Sequence, residues 1–333
     1  MTRVLVARLD SDGDVLLAGP AVRAVAAVAE VVLLVGPRGR QAAALLPGVA
    51  ETLVWRAPWI DPSPDPVDAS DVDGLVAAIR AARVSAAVVL TSFHQSALPL
   101  ALLLRLAGVG QVAAVSEDYP GSLLDVRHRV DDDLPEAERA LSTVAAAGFG
   151  LPPGDDGRLR VRMPLPAVSQ LTGPGPYVVL HPGASVPARA WSPHRAAAGV
   201  AALTAAGRRV VVTGGPGEAA LTAAVAGAGT DLGGRTSLAE LAAVLAGADA
   251  VVVANTGPAH LAAAVGTPVV SLFAPVVPAA RWAPYGVAGV LLGDQDAACR
   301  DSRATVCPVP GHPCLDSVTP EDVVAAVDKL VPA

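Results

Sequence analysis

The chain has 333 residues, more than a single typical hydrophobic core accommodates, so two domains of ordinary size are expected. Hydrophobic residues make up 52% of the chain and aromatic residues only 3%, which favours helices packed closely on sheets by Ala, Val and Leu. The net charge of −7 argues against a nucleic-acid partner, and Pro268, Pro275 and Pro278 interrupt the longest uncharged stretch, which predicts no membrane-spanning helix. The first residues do not form a secretory signal, so a cytoplasmic location is expected.

Strands and helices alternate along the first half of the chain. Aliphatic runs predict strands at residues 4–7, 31–35, 52–55, 86–90 and 111–115. Amphipathic segments predict helices at residues 14–28, 39–46, 71–82, 96–107 and 134–147. A run of acidic residues is interpreted as the solvated start of the last of these helices: Asp131, Asp132, Asp133, Glu136 and Glu138. This alternation predicts a parallel sheet covered by helices on both faces.

A proline-rich segment separates the two halves. It predicts an N-terminal domain at 1–150, a linker at 151–176 and a C-terminal domain at 177–333. In the second half, strands are predicted at 177–181, 209–213, 251–253 and 269–273, and helices at 192–206, 237–245, 258–265 and 319–330. The fold class is therefore α/β, with two doubly wound parallel sheets in tandem. Ligands of such sheets bind at the carboxyl ends of the strands, so two sheets facing each other are expected to form an interdomain cleft.

One strand–turn–helix unit has the outline of an anion site. The strand at 251–253 leads through Asn255, Thr256 and Gly257 into an Ala-rich helix that starts at Pro258. The first N–H groups of such a helix point out of the carboxyl edge of the sheet and favour a phosphate. An ordinary buried crossover with a small turn is the alternative interpretation.

Charged and small residues follow other predicted strands. Asp14 follows Gly13 at a strand-to-helix turn, where it is either a general base or simply a helix cap. Arg189 precedes a helix start and could bind phosphate in a bidentate manner, although a solvated arginine is the alternative. The glycine-rich loop at 214–217 lacks the spacing of a dinucleotide fingerprint or of a P-loop with its lysine. Asp10 and Asp12 are interpreted as turn residues.

Two further groups are less diagnostic. His94 follows a strand of the first half and is a candidate for contact with an acceptor substrate, or else a cap of the next helix. Cys299, Cys307 and Cys314 lie near His312, but their spacing does not match a usual zinc site, so free thiols are favoured.

Four motifs in this order resemble glycosyltransferase family 9, the heptosyltransferases. They are residues 9–17 around Asp14, residues 181–191 with Arg189, residues 214–218 ending in Glu218, and residues 255–261 with Thr256 and Gly257. The resemblance spans nearly the whole chain. It implies a GT-B fold of two Rossmann-like domains and an inverting transfer from a nucleotide-diphosphate sugar, with no metal or other cofactor. It further implies that the N-terminal domain binds the acceptor and the C-terminal domain binds the donor.

The resemblance also implies roles for individual residues. Asp14 matches the catalytic base, and Arg189 matches the basic residue that faces the donor diphosphate. Further donor contacts are implied for Ala184, Ser185, Glu218, Thr236, Asn255, Thr256, Gly257 and His260, with Gly13 and His94 as candidates for acceptor contacts. Asn255 replaces a common family aspartate. A glycan or lipid-linked acceptor is implied, with peripheral contact with the inner membrane surface.

Metal independence also agrees with the residue pattern. The leaving diphosphate needs neutralisation, and the donor half offers Arg189, His260 and a helix start but no Asp-x-Asp motif. Two alternatives remain open. One is a nucleotide-sugar epimerase or phosphorylase of the same fold, and the other is a sugar-nucleotide-binding protein without turnover.

Overall fold

The computed structural model describes residues 2–130 and 133–331, so Asp131 and Asp132 of the acidic run lie outside the described residues. The chain divides into two compact units, Met1–Arg162 and Met163–Ala333. This division falls within the segment 151–176 that the sequence analysis assigns to the linker. The part of the segment before the division is bonded to the first unit, because Arg23 donates to both carboxylate oxygens of Asp155 at 2.7 and 2.8 Å.

The first unit contains a six-stranded parallel sheet in the order β3-β2-β1-β4-β5-β6. Its strands are β1 Arg3–Arg8, β2 Glu30–Val35, β3 Val49–Val54, β4 Ala86–Val89, β5 Gln111–Val115 and β6 Val126–His128. Its helices are α1 Asp12–Leu17, α2 Gly19–Ala26, α3 Arg40–Leu45, α4 Ala69–Ala82, α5 Leu98–Leu106 and α6 Glu136–Ala146.

The second unit contains another six-stranded parallel sheet, in the order β12-β11-β10-β7-β8-β9. Its strands are β7 Val178–His181, β8 Val210–Val212, β9 Thr230–Asp231, β10 Ala250–Ala254, β11 Val269–Leu272 and β12 Gly289–Leu292. Its helices are α7 Ser169–Thr172, α8 Pro193–Ala205, α9 Ala219–Ala226, α10 Leu238–Ala246, α11 Gly257–Ala264, α12 Ala279–Trp282, α13 Pro313–Asp316 and α14 Pro320–Leu330.

Both sheets have the doubly wound topology that the strand–helix alternation predicts. In each sheet the chain starts at the centre, winds to one edge, and then returns to wind to the other edge. The order reverses between β1 and β4 in the first unit and between β7 and β10 in the second. Ligands of such sheets bind outside the carboxyl ends of the strands at these reversals, so the loops after these four strands are the places to look for a site.

Helix capping confirms several predicted helix starts. The Ser192 hydroxyl accepts from the N–H of Arg195 at the start of α8. Capping boxes begin α10 at Ser237 and α14 at Thr319. These caps satisfy N–H groups that have no partner within the helix, which is why short polar residues mark helix starts in the sequence.

The single helix predicted at 14–28 is wrong, and so is its start. α1 begins two residues earlier, at Asp12, and a second helix follows after Ala18. Pro20 has no N–H to donate to the preceding turn, so the hydrogen-bond ladder is interrupted there. The sequence analysis also misses the edge strands β6, β9 and β12, which have two to four residues and are too short to show a clear hydrophobic period. In the part of the chain that the structure describes, no helix has the length and apolarity needed to cross a membrane.

Candidate active site

A buried arginine organises the loops at the carboxyl end of β1. Arg8 is the last residue of β1 and only 3% exposed. Its Nη2 atom donates to Asp14 Oδ1 at 3.0 Å and to Ser92 Oγ at 2.9 Å. Its Nε atom lies 3.0 Å from Asp10 Oδ2, and its Nη1 atom lies 3.5 Å from Glu136 Oε2. One guanidinium is therefore surrounded by three carboxylates, which we call the Arg8 cluster.

The pKa values of the two aspartates in the cluster shift in opposite directions. Burial opposes ionisation of Asp14, but the Arg8 charge and the hydrogen bonds from Ser11 outweigh it and hold the pKa of Asp14 below its ordinary value. Burial raises the pKa of Asp10 despite the opposing charge of Arg8. Arg8 itself stays protonated: burial disfavours its charge, but the three carboxylates raise its pKa. Such a divergence between neighbouring carboxylates is typical of sites that move protons.

Asp14 is both a helix-capping residue and a member of the cluster. It is the third residue of α1, and its Oδ2 atom accepts from the N–H and the hydroxyl of Ser11 at 3.2 and 2.7 Å. The two readings of the sequence, cap and functional carboxylate, are therefore compatible. The side chain of Asp14 is 17% exposed, so it remains partly accessible from outside the cluster. Gly13 beside it is buried.

Three interpretations of acidic residues are wrong. Asp10 is not merely a turn residue, because its Oδ1 atom accepts from Gln95 at 2.5 Å and its other oxygen faces Arg8. Asp12 starts α1, and its carboxylate accepts from the N–H of Ala42 at 2.9 Å. Glu136 is not solvated: it is 2% exposed and packs on Arg8, 128 residues earlier in the chain. Helix-start glutamates are usually solvated, and no local signal distinguishes this one.

In the second unit, His181 and Glu218 meet at the carboxyl end of β7. His181 is 6% exposed, and its Nδ1 atom pairs with Thr213 Oγ1 at 2.9 Å. Its Nε2 atom lies 3.7 Å from Glu218 Oε2, the oxygen that accepts from the N–H of Gly215 at 2.7 Å. Burial lowers the pKa of His181, and the charge of Glu218 opposes that shift. A Cβ on Gly183 would lie 2.0 Å from the Glu218 carboxylate, so any larger residue there would displace that carboxylate from its present position.

The turn between β10 and α11 brings a cation to a helix start. Arg189 Nη1 donates to the carbonyl of Asn255 at 3.4 Å. The Asn255 amide is buried and exchanges two 3.4 Å hydrogen bonds with the backbone of Ala274, after β11. An aspartate could accept the Ala274 N–H but could not donate to its carbonyl, which explains the amide at this position. Among the described residues, the Thr256 side chain makes no capping bond to α11; its hydroxyl faces the Ala254 carbonyl at 3.5 Å.

The remaining predicted site residues lie on loops or helices of the two units. Ala184 and the exposed Ser185 follow Gly183, Thr236 directly precedes the N-cap of α10, and the buried His260 lies in α11. In the first unit, His94 is exposed and packs edge-on against Phe93, with ring centroids 5.4 Å apart. His94 does not cap α5, whose N-cap residue is Ala97.

The C-terminal cysteines of the second unit are free thiols, and Cys299 and Cys314 are buried. Burial, with contributions from the other two cysteines, raises the pKa of Cys314 to about 12, so this thiol is protonated at neutral pH. His312 Nε2 lies 3.1 Å from the Ala188 carbonyl, just before Arg189. Across residues 2–130 and 133–331, no group of three His, Cys, Asp or Glu side chains is arranged to hold a metal ion.

Comparison with known proteins places this arrangement in context. The sequence matches the model of glycosyltransferase family 9 (heptosyltransferase) over residues 75–311. No curated protein matches it. Three solved structures are similar over nearly their whole length. E. coli ADP-heptose lps heptosyltransferase II is 19% identical, with a TM-score of 0.76, and the match covers 99% of this chain and 98% of that chain. The glycosyl transferase of family 9 from Veillonella parvula is 18% identical, with a TM-score of 0.78 and coverage of 99% of this chain and 97% of that chain, and E. coli heptosyltransferase WaaC with ADP-2-deoxy-2-fluoro heptose is 22% identical, with a TM-score of 0.72 and coverage of 98% of this chain and 99% of that chain. These likenesses confirm the GT-B fold class.

The contact between His181 and Glu218 predicts a shift that can be measured. We expect the pKa of His181 to lie below its ordinary value of 6.5 and to fall further in Glu218→Gln, because the carboxylate stabilises the imidazolium and its removal leaves only the effect of burial. NMR titration of the imidazole resonances measures this, with a His181→Gln variant to assign the signal.

Glu240→Gln is the matched control. Glu240 is the third residue of α10, and its Oε2 atom accepts from the N–H of Ser237 at 2.8 Å, much as Glu218 accepts from the N–H of Gly215. The Glu240→Gln substitution should leave the pKa of His181 unchanged. A His181 pKa that rises or stays constant in Glu218→Gln would contradict the electrostatic pairing.

Proposed function

This chain belongs to glycosyltransferase family 9 and uses a nucleotide-sugar donor, and on that premise we propose which sugar it transfers, by what mechanism and to what acceptor. A heptose-like sugar is transferred, with inversion and without a metal ion, from a nucleoside diphosphate to a hydroxyl of a glycan or lipid-linked acceptor. The observation that carries the proposal is the Arg8 cluster, which holds Asp14 as an ionised carboxylate at the carboxyl end of a central strand. Peripheral membrane contact stays a prediction.

Asp14 is proposed as the general base. An inverting displacement needs a carboxylate that takes the proton of the attacking hydroxyl on the face of the sugar opposite to the leaving group. Arg8 and Ser11 keep Asp14 ionised before the reaction and fix its orientation through both oxygens. In this proposal Arg8 is a positioning residue, because it acts on the substrate only through Asp14.

The other two carboxylates keep Arg8 paired when Asp14 takes up a proton. With Asp10, Asp14 and Glu136 ionised around Arg8, the cluster has three negative charges and one positive charge, a net charge of −2. A proton on Asp14 reduces this to −1. Arg8 still has Asp10 and Glu136 as partners at that point, so the buried guanidinium is not left unpaired when Asp14 is neutralised.

The second unit is proposed to receive the donor. Arg189 and the first N–H groups of α11 offer positive charge and hydrogen-bond donors to the departing diphosphate, at the Thr256-Gly257 turn. Neutral His181 and the glycine-lined Glu218 lie at the end of β7, where Glu218 is suited to accept from ribose hydroxyls. Ala184, Ser185, Thr236 and His260 are proposed as further donor contacts, while the Asn255 side chain braces the turn through Ala274.

Family membership favours transfer over the two alternatives. An epimerase or phosphorylase would not need an acceptor hydroxyl, and a binding protein without turnover would not need an ionised base. Release of free nucleoside diphosphate that depends on added acceptor separates transfer from both.

The first prediction of this mechanism concerns Asp14. Asp14→Asn preserves the size of the side chain but removes the base, so kcat should fall by roughly 10²–10⁴-fold while the Kd of the donor stays nearly unchanged. Steady-state kinetics and calorimetric titration of the donor measure the two quantities.

Asp10→Asn tests whether the effect is specific to Asp14. It removes a neighbouring charge from Arg8 but not the proposed base, and the loss in kcat should be smaller. Near-normal turnover of Asp14→Asn would remove Asp14 from the mechanism.

The second prediction concerns the diphosphate. A charge-assisted contact with phosphate is worth about 1.5–3 kcal/mol, so Arg189→Ala should weaken ADP binding by roughly 10- to 150-fold and adenosine binding much less. Calorimetry with both ligands measures the difference. Arg195→Ala is the control, because Arg195 pairs with Asp316 on the surface of the same unit and should affect neither ligand. Equal losses for ADP and adenosine would place Arg189 elsewhere.

The third prediction is metal-independent turnover. Because protein groups are proposed to neutralise the leaving diphosphate, transfer should continue in excess EDTA after exhaustive chelation. The initial rate is measured before chelation, after it, and after adding back Mg²⁺ or Mn²⁺. Activity that is lost on chelation and restored by Mg²⁺ would contradict this part of the proposal.

A further inference from the structure

The loop between β12 and α13 contacts the backbone that carries Arg189; it comprises residues 293–312, and we call it the C-terminal loop. Ala188, the residue before Arg189, is 1% exposed, and both of its backbone polar groups are bonded to this loop. Its N–H donates to the carbonyl of Thr305 at 2.9 Å, and its carbonyl lies 3.1 Å from His312 Nε2. Because a carbonyl can only accept, the Nε2 atom of His312 is the donor of this hydrogen bond.

The segment held in this way is a single 3-10 turn, Pro187–Arg189. The N–H of Arg189 donates to the carbonyl of Val186 at 2.9 Å, which helps to close the turn without using the carbonyl of Ala188. That buried carbonyl is bonded by the His312 ring instead. A turn of three residues is too short to be stable by itself, so its orientation depends on the contacts that surround it.

The backbone that presents the His312 ring is fixed. His312 has φ 49° and ψ 51°, in the left-handed region, which histidine adopts more often than most residues other than glycine. Its carbonyl accepts from the N–H of Asp316 at 3.0 Å in α13. Cys314 and Leu315 anchor the same helix in the core of the second unit, where they are 1% and 0% exposed. Residues are kept in this conformation only where the surrounding structure determines it.

The C-terminal loop is also bonded to the carboxyl end of β11. The N–H groups of Asp301 and Arg303 donate, each at 2.8 Å, to the carbonyls of the two residues that follow Ala274. Ala274 is the residue that the Asn255 amide braces, and the Asn255 carbonyl accepts from Arg189. The loop therefore holds the backbone on both sides of the contact between Arg189 and Asn255.

We propose that His312 is a positioning residue for Arg189, and that its hydrogen bond to the Ala188 carbonyl controls how strongly the second unit binds a diphosphate. This inference rests on the proposed function, in which Arg189 faces the departing diphosphate. His312 acts through the backbone of the turn, because a small rotation there displaces the guanidinium at the end of a long side chain by a larger distance.

His312→Leu and His312→Gln form a matched pair of test variants. Both new side chains are unbranched at Cβ and meet the same left-handed backbone, but only glutamine has an N–H donor with the reach of Nε2. His312→Leu should weaken ADP binding roughly two- to ten-fold, the usual effect of one hydrogen bond, and His312→Gln less than about two-fold. Adenosine binding should stay unchanged in both, because Arg189 is proposed to contact only the diphosphate. Calorimetric titration of the full chain with ADP and adenosine measures these affinities.

A double-mutant cycle distinguishes positioning of Arg189 from a general structural role. If His312 acts through Arg189, adding His312→Leu to Arg189→Ala should leave ADP binding as weak as in Arg189→Ala alone. Losses that add, or an equal loss of adenosine binding in His312→Leu, would overturn the proposal. His194→Leu, which removes an exposed histidine from the first turn of α8, is the control and should change neither affinity.

His312→Asn covers the case in which His312→Leu does not fold. Asparagine adopts the left-handed region readily, but its amide nitrogen reaches the position of Nδ1 and falls short of that of Nε2. This variant should keep the near-ultraviolet circular dichroism of the native chain and lose ADP affinity. Native ADP affinity in the folded His312→Asn variant would contradict the positioning role.

Direct observation of the Arg189 side chain separates this inference from the proposed function. Its Nε–H signal in a proton–nitrogen correlation spectrum is assigned by its loss in Arg189→Ala. Without any ligand, the signal should shift in His312→Leu and return in His312→Gln. If the signal responds in this way but Arg189→Ala leaves ADP binding unchanged, the proposed diphosphate contact is wrong and the positioning of Arg189 stands. If Arg189→Ala weakens ADP binding but His312→Leu changes neither signal nor affinity, only the positioning role is wrong.

Discussion

The ion pairs of the buried Arg8 guanidinium hold together the candidate site of the first unit. The guanidinium joins Asp10 from the loop after β1, Asp14 from α1, Ser92 from the loop after β4 and Glu136 from the start of α6. A charge that is 3% exposed is tolerated only with partners, and here the partners come from four separate segments. Each segment is thus fixed relative to the others at the point where the sheet order reverses.

The candidate sites of the two units differ in the sign of their charge. Around Arg8 three carboxylates surround one cation, and one of them, Asp14, is the proposed proton acceptor. At the β10–α11 turn the side chains are neutral or positive: Asn255 carries no charge, and Arg189 donates to the carbonyl of that residue. The Asn255 amide braces Ala274, and its lack of charge is compatible with the proposed binding of a diphosphate at this turn.

The local sequence predicts those parts of the fold that depend on near neighbours. The strand–helix alternation gives the two doubly wound sheets, and the helix starts at Ser192, Ser237 and Thr319 follow from capping residues within three positions. The local sequence does not predict the edge strands β6, β9 and β12, because two to four residues are too few to show a hydrophobic period and their pairing partners are distant in sequence. Motif order, as opposed to any one motif, identifies the family.

The sequence by itself determined the fold class, the family and the positions of Asp14, Arg189, Glu218 and the Thr256-Gly257 turn as candidates. Only the tertiary structure decided that Asp10 and Glu136 belong with Asp14, because their common partner is a guanidinium that no local pattern assigns to them. Glu136 lies 128 residues from Arg8 in the chain but 3.5 Å from it in the fold. Electrostatic environment depends on distance and burial in space, and neither is encoded in the spacing of residues along the sequence.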